Sequence, residues 1–114
     1  MLFRPRQQAI AIGLILGMLW AGGPLKAETI GDPFKGESYA REICASCHAI
    51  GANELESPVA EATPLQIVAN TPGMNRTALL VFFRTPHRTM PNLILSEQET
   101  DNVIAYIQSL KSDN

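Results

Sequence analysis

The stretch Cys44-Ala45-Ser46-Cys47-His48 constrains this chain more than any other, because it holds the only two cysteines in the sequence. Two thiols at this spacing can close a redox disulfide, ligate a metal, or anchor a larger group. A redox pair of this kind ends a strand within a β-α-β unit. A structural zinc site needs four ligands. What surrounds the motif decides among these chemistries.

Residues 1–27 read as a secretory signal peptide: Arg4 and Arg6 make a basic start, Ala9 to Trp20 is an uncharged apolar run, and Leu25-Lys26-Ala27 closes it. Cleavage is expected after Ala27. The run from Arg6 to Lys26 approaches the length of a membrane span, so retention as an anchor is the alternative, weakened by Gly13, Gly17, Gly22, Gly23 and Pro24. Nothing later in the chain is apolar enough to span a bilayer, so membrane contact is expected only if residues 1–27 are kept. Three of the nine basic residues lie in this segment and none of the eleven acids, which leaves six against eleven and a net charge of −5 on residues 28–114. An acidic domain is a poor partner for nucleic acid. Residues 28–114 form one domain, of a size that often leans on a metal, a disulfide or a cofactor.

Helical signals dominate those residues. Gly31-Asp32-Pro33 predicts a helix start, with Asp32 as N-cap and Pro33 at the first position, and the helix should run through Gly36, Tyr39, Ala40 and Ile43 into the motif. Ala49 to Ala62 is rich in Gly, Asn, Ser, Pro and Glu without sustained periodicity and reads as loop. Pro64 to Ala69 and Thr77 to Phe83 read as short helices, stopped by Asn70-Thr71-Pro72-Gly73 and by Thr85-Pro86. Ser96 and Glu99 make a capping box ahead of Val103, Ile104, Ile107 and Leu110, which predicts a helix over about 97–111. No stretch alternates as a strand does. The expected fold is a small all-α domain with one long irregular loop.

A motif that follows a helix in a strandless chain does not suit the redox disulfide, and only one further histidine, His87, exists to complete a zinc site. Covalent haem attachment fits spacing and residue types together. Thiols at i and i+3 on one turn face the same side, so Cys44 and Cys47 can each bond one haem vinyl group, and His48 is placed to reach the iron. For the opposite axial position three residues compete. Met90 lies in Thr89-Met90-Pro91-Asn92, a proline-held loop where a thioether can point inward, and is preferred; Met74 beside Gly73 reads as a gap-filler, and His87 as a surface or propionate-contacting group.

Across residues 28–114 the chain resembles the class I bacterial cytochromes c, small proteins with a single haem. The residues that carry the likeness are Gly36-x-x-Tyr39-Ala40, the attachment motif, Thr89-Met90-Pro91, and Ile104-Ala105-Tyr106-Ile107. The resemblance implies that the first and last helices cross closely, with Gly36 small because Tyr106 packs against it. It also implies that a proline carbonyl holds the second nitrogen of His48, with Pro58 and Pro64 both eligible. The tryptophan by which the family often binds a haem propionate is missing, since Trp20 lies in the signal segment. Arg84, Arg88 and His87 are candidates for that task.

With His48 and Met90 both on the iron, the resemblance implies a periplasmic electron carrier rather than an enzyme: haem c as cofactor, redox proteins as partners, and a monomer. The thioether ligand and a dry pocket favour ferrous iron and a high potential. Acids dominate residues 28–61 while Arg76, Arg84 and Arg88 flank the ligand loop, which suits weak, fast, salt-sensitive docking or, equally, pairing with propionates and nearby acids. Two alternatives stay open. One is a haem subunit or electron-entry module of a larger dehydrogenase or oxidase; the other is a sensor or peroxidase-like haem with a displaceable distal ligand.

Overall fold

The computed structural model describes residues 2, 22–24, 30–85, 89–90 and 93–112. Residues 1–27, expected to be a signal peptide, lie outside the described residues apart from Leu2 and residues 22–24, as do His87, Arg88 and Pro91.

Four α-helices follow one another: α1 (Pro33–Tyr39), α2 (Leu65–Asn70), α3 (Arg76–Arg84) and α4 (Glu97–Ser109). Among the described residues there is no strand, as the sequence pattern predicts. Helix α1 begins where expected, with Asp32 Oδ1 accepting from the backbone N–H of Phe34 at 2.9 Å and Pro33 in the first turn. It does not continue unchanged into the cysteine motif. Ala40–Cys44 forms a π-helical turn in which the Ala45 N–H donates to the Ala40 carbonyl at 2.9 Å, one residue beyond the α-helical register.

Helix α4 carries the predicted capping box: Ser96 Oγ accepts from the Glu99 N–H at 3.2 Å, and the Glu99 carboxylate accepts from the Ser96 N–H at 2.8 Å. The helix ends at Ser109, two residues short of the expected Lys111. Helix α3 starts one residue earlier than expected, because Asn75 caps it by accepting from the Ala78 N–H at 2.9 Å.

Helices α1 and α4 cross so closely that position 36 has no room for a side chain. A β-carbon on Gly36 would overlap the carbonyl oxygen of Asn102 and lie 2.8 Å from Tyr106 Cβ. The expectation that Gly36 is small on account of Tyr106 therefore needs correcting in emphasis: the backbone of α4 at Asn102 is the nearer obstacle. Gly31, at φ +92°, makes the same kind of approach to Asp101. The buried Asn102 side chain seals the crossing, its Oδ1 accepting from the Asp32 N–H at 2.8 Å.

From this seam the core spreads through Ala40, Ile50, Leu65, Leu79, Ile104 and Ile107, with Tyr39 of α1 packed against it, so all four helices reach it. Arg76 of α3 pairs with Asp101 of α4 at 2.5 Å. The chain end is tied to α2, where the Asn70 side chain accepts from the Ser112 N–H at 2.9 Å. No helix among the described residues is long and apolar enough to cross a membrane.

Candidate functional site

The π turn delivers Cys44 to the start of a tight turn. The N–H groups of Cys47 and His48 both donate to the Cys44 carbonyl, at 3.1 and 2.9 Å, which places the two thiols one turn apart and His48 directly after them. Both cysteines are free and half-buried. Burial pushes the Cys44 thiol above its ordinary pKa.

His48 is half-buried, and its Nδ1 lies 2.7 Å from the carbonyl oxygen of Thr63. A carbonyl only accepts, so Nδ1 carries a proton, and in the neutral ring the lone pair is left on Nε2. The ring is therefore held in the tautomer that an Nε2 metal ligand requires. The expected acceptor was the carbonyl of Pro58 or Pro64, and that expectation is corrected by one residue. The Pro64 carbonyl already accepts from the Val68 N–H at 3.1 Å, as the opening bond of α2. Thr63, which the following proline biases away from the helical region, presents its carbonyl instead.

The loop between the motif and α2 has no regular structure, yet it is fastened at each step. The Val59 N–H donates to the Cys47 carbonyl at 3.2 Å, and the Leu65 N–H to the Ala49 carbonyl at 2.9 Å. Ser57 Oγ accepts from the Ala49 N–H at 2.9 Å. Asn53 sits in the left-handed region at φ 63°, with its N–H donating to the buried Gln66 side chain at 2.6 Å. Farther along, the hydroxyl of Tyr106 donates to the Ile50 carbonyl at 2.7 Å, so α4 grips the chain two residues past His48. Ser57, Thr63 and Gln66 are positions the sequence reading missed. One signal was available: Ser57 and Thr63 each immediately precede a proline, where the backbone is biased to extended or turn geometry.

The axial candidates are placed differently. Met74 packs, half-buried, against the core cluster, in keeping with a gap-filling role. Met90 is half-buried in a bend, while residues 86–88 and 91–92 on either side of it, and hence His87, lie outside the described residues. Of the arginines expected to flank the ligand loop, Arg76 is committed to Asp101. Arg84 is exposed at the end of α3 and shares with Arg76, Leu80, Phe83 and Leu95 the wall of a groove of about 480 Å3. Neither the two cysteines, His48 nor Met90 lines that groove.

The donor set at the turn suits a covalently held haem: two free thiols three residues apart, followed by an imidazole whose Nδ1 is already bonded to a carbonyl. Over 80 residues, 70% of this chain and 76% of the relative's length, the sequence is 35% identical to Cytochrome c-552 of Bradyrhizobium diazoefficiens. No protein-family model matches the chain, and no solved structure does.

Proposed function

Since this chain belongs to the class I bacterial cytochromes c, whose cofactor is a covalently bound haem c, we propose that it carries single electrons between redox proteins of the periplasm. In this assignment Cys44 and Cys47 would hold the haem through thioether bonds, and His48 Nε2 and Met90 Sδ would ligate its iron. The haem, when bound, supplies the iron that accepts and releases one electron. The protein's part is to hold its ligands still and exclude water.

The observation that supports this reading is the 2.7 Å bond from His48 Nδ1 to the Thr63 carbonyl, which leaves Nε2 available to a metal in a chain where two free thiols precede it. Thr63 fixes the ring's orientation and makes the imidazole a stronger donor. The buried surface of α4 at Val103, Ile104 and Ile107 supplies the apolar, water-poor interior that favours the less charged ferrous state. With His48 and Met90 both given to the iron, the haem would offer its electron rather than a substrate site, which suits a carrier.

Residues 1–27 direct export in this reading and are removed after Ala27, leaving 28–114 as the working domain. The pairing of Arg76 with Asp101 reduces the basic rim to Arg84 and Arg88, on a domain that is acidic overall. Docking to a partner is then brief and salt-sensitive.

The test is an optical spectrum of the protein made in a host able to attach haem. Haem that stays with the polypeptide on a denaturing gel and is lost from Cys44→Ala/Cys47→Ala, a methionine-to-ferric-iron band that disappears in Met90→Ala, and slow carbon monoxide binding are expected. A colourless protein refutes haem attachment. Ready carbon monoxide binding by the ferrous form refutes Met90 as a fixed ligand and favours a sensor or peroxidase-like site. The mass of the exported protein reports whether residues 1–27 are removed.

A further inference from the structure

Three hydrogen bonds converge on His48, and only one of them touches its ring. The direction in which a side chain leaves the backbone is set by the two peptide planes flanking its Cα, since each residue has just two soft backbone dihedrals. The plane before His48 is fixed by its own N–H, which donates to the Cys44 carbonyl at 2.9 Å. The plane after it contains the Ala49 N–H, which donates to Ser57 Oγ at 2.9 Å. Ala49 is only 4% exposed, so water is a poor substitute partner for that amide. The next plane is fixed in turn by the Leu65 N–H on the Ala49 carbonyl, at 2.9 Å.

Of these fasteners, the one from Ser57 is made by a side chain that substitution can remove. The others are made by backbone groups or belong to the ring itself. We propose that Ser57 is a positioning residue for the His48 imidazole: by holding the Ala49 amide it fixes the backbone of His48 and keeps Nδ1 aligned on the Thr63 carbonyl. This inference rests on the reading of His48 as an iron ligand. Ser57 touches neither the ring nor the iron and acts only through the peptide plane between residues 48 and 49.

The consequence has a sign. A well-aligned bond from Nδ1–H to a carbonyl raises the basicity of the imidazole, and a more basic ligand favours ferric iron. Misalignment weakens that donation, so Ser57→Ala should shift the reduction potential upward. General loosening of the site acts in the opposite direction, because water admitted to the haem surroundings favours the more highly charged ferric state. A positioning role and a merely structural one are therefore separated by the direction of the shift.

The experiment measures the reduction potentials of the haem-loaded wild type, Ser57→Ala and Ser57→Thr by spectroelectrochemistry. An upward shift in Ser57→Ala, with Ser57→Thr close to wild type because it keeps the hydroxyl, is the expected result. An unchanged or lowered potential in Ser57→Ala overturns the proposal. If Ser57→Ala does not accumulate as folded protein, amide hydrogen exchange of Ala49 in the wild-type holoprotein decides. Slow exchange supports the bond to Ser57, and exchange as fast as in exposed loop amides overturns it. A wild-type protein that takes up no covalent haem is a different failure, that of the underlying cytochrome assignment.

Discussion

Replacing Gly36 with alanine sets two effects of opposite sign against each other. In an isolated helix the change is favourable by about 1 kcal/mol, because glycine has more backbone freedom to lose. Here a β-carbon at position 36 would overlap the Asn102 carbonyl oxygen and lie 2.5 Å from the carbonyl carbon. Carbon atoms in favourable contact sit about 3.5–4.0 Å apart, so α1 and α4 would have to separate by roughly 1 Å. The obstacle is backbone in the middle of a helix, which no change of rotamer can clear. A gap of that width forfeits roughly a quarter to a half of the attraction at each contact along the seam. Ordinary overpacking costs about 1–3 kcal/mol, and a backbone obstacle belongs at or above the upper end, so after the helix gain the net loss should be about 2 kcal/mol. In a domain of this size that is a fall of roughly 10 °C in melting temperature. Urea unfolding of the haem-loaded variant, followed by circular dichroism, measures it. A variant as stable as wild type, or more so, refutes the close approach. A double-mutant cycle with Tyr106→Gly, which removes the β-carbon 2.8 Å from the added atom, goes further: with the Asn102 backbone as the main obstacle it should not rescue Gly36→Ala, and a full rescue would return the contact to Tyr106.

Tyr106→Phe leaves the Ile50 carbonyl without its 2.7 Å donor and should cost about 1–2 kcal/mol in urea unfolding while haem attachment survives; unaltered stability would contradict this bond. Ser96→Ala removes the N-cap of α4 and should cost about 1 kcal/mol by the same measurement, against no change if the cap is idle. The Glu99 carboxylate, which accepts from the Ser96 N–H and hydroxyl, is held below its usual pKa. A group lowered in the folded state contributes stability above the ordinary carboxylate range, and that contribution is lost as pH falls through the range to the lowered folded value. The stability difference between wild type and Glu99→Gln should therefore be largest near neutrality and shrink on acidification, and a difference that stays constant with pH would contradict the assignment.

Helix starts were legible because their signals are local. Asp32-Pro33 and Ser96 with Glu99 act through hydrogen bonds spanning two or three residues, and each appears where the residue types place it. The start of α3 went one residue astray for a related reason: Asn75 is as good a cap as Asp32, but no proline or glutamate follows to mark it. The π turn at Ala40–Cys44 was not legible at all. Over five residues the apolar spacing of π and α turns is nearly the same, so the choice falls to the packing of Ala40, which is fully buried in the core. The crossing of α1 and α4 was legible as a pair of residues but not as a contact. Gly36 and Tyr106 mark the place, whereas the atom that forbids a side chain belongs to the backbone of Asn102, and backbone carries no sequence signature.

The irregular segment after the motif shows where pattern reasoning reaches its limit and why. Periodicity detects faces that repeat, whereas residues 49–65 are held by bonds that each occur once: Ala49 to Ser57, Asn53 to Gln66, His48 to Thr63. The prolines were the right clue attached to the wrong atoms. A proline that opens a helix has its own carbonyl taken by the first turn, as Pro64 is by Val68, and so cannot also serve an outside donor without sharing. The residue before it is pushed out of the helical region, which leaves its carbonyl facing away from the new helix and open to a partner. Thr63 meets that condition at His48. Ser57, in the same position before Pro58, uses its side chain on the Ala49 amide. In this chain the Xaa-Pro pairs of the loop therefore bond to His48 and Ala49 through the residue that precedes the ring, and such single contacts leave no periodic pattern to read.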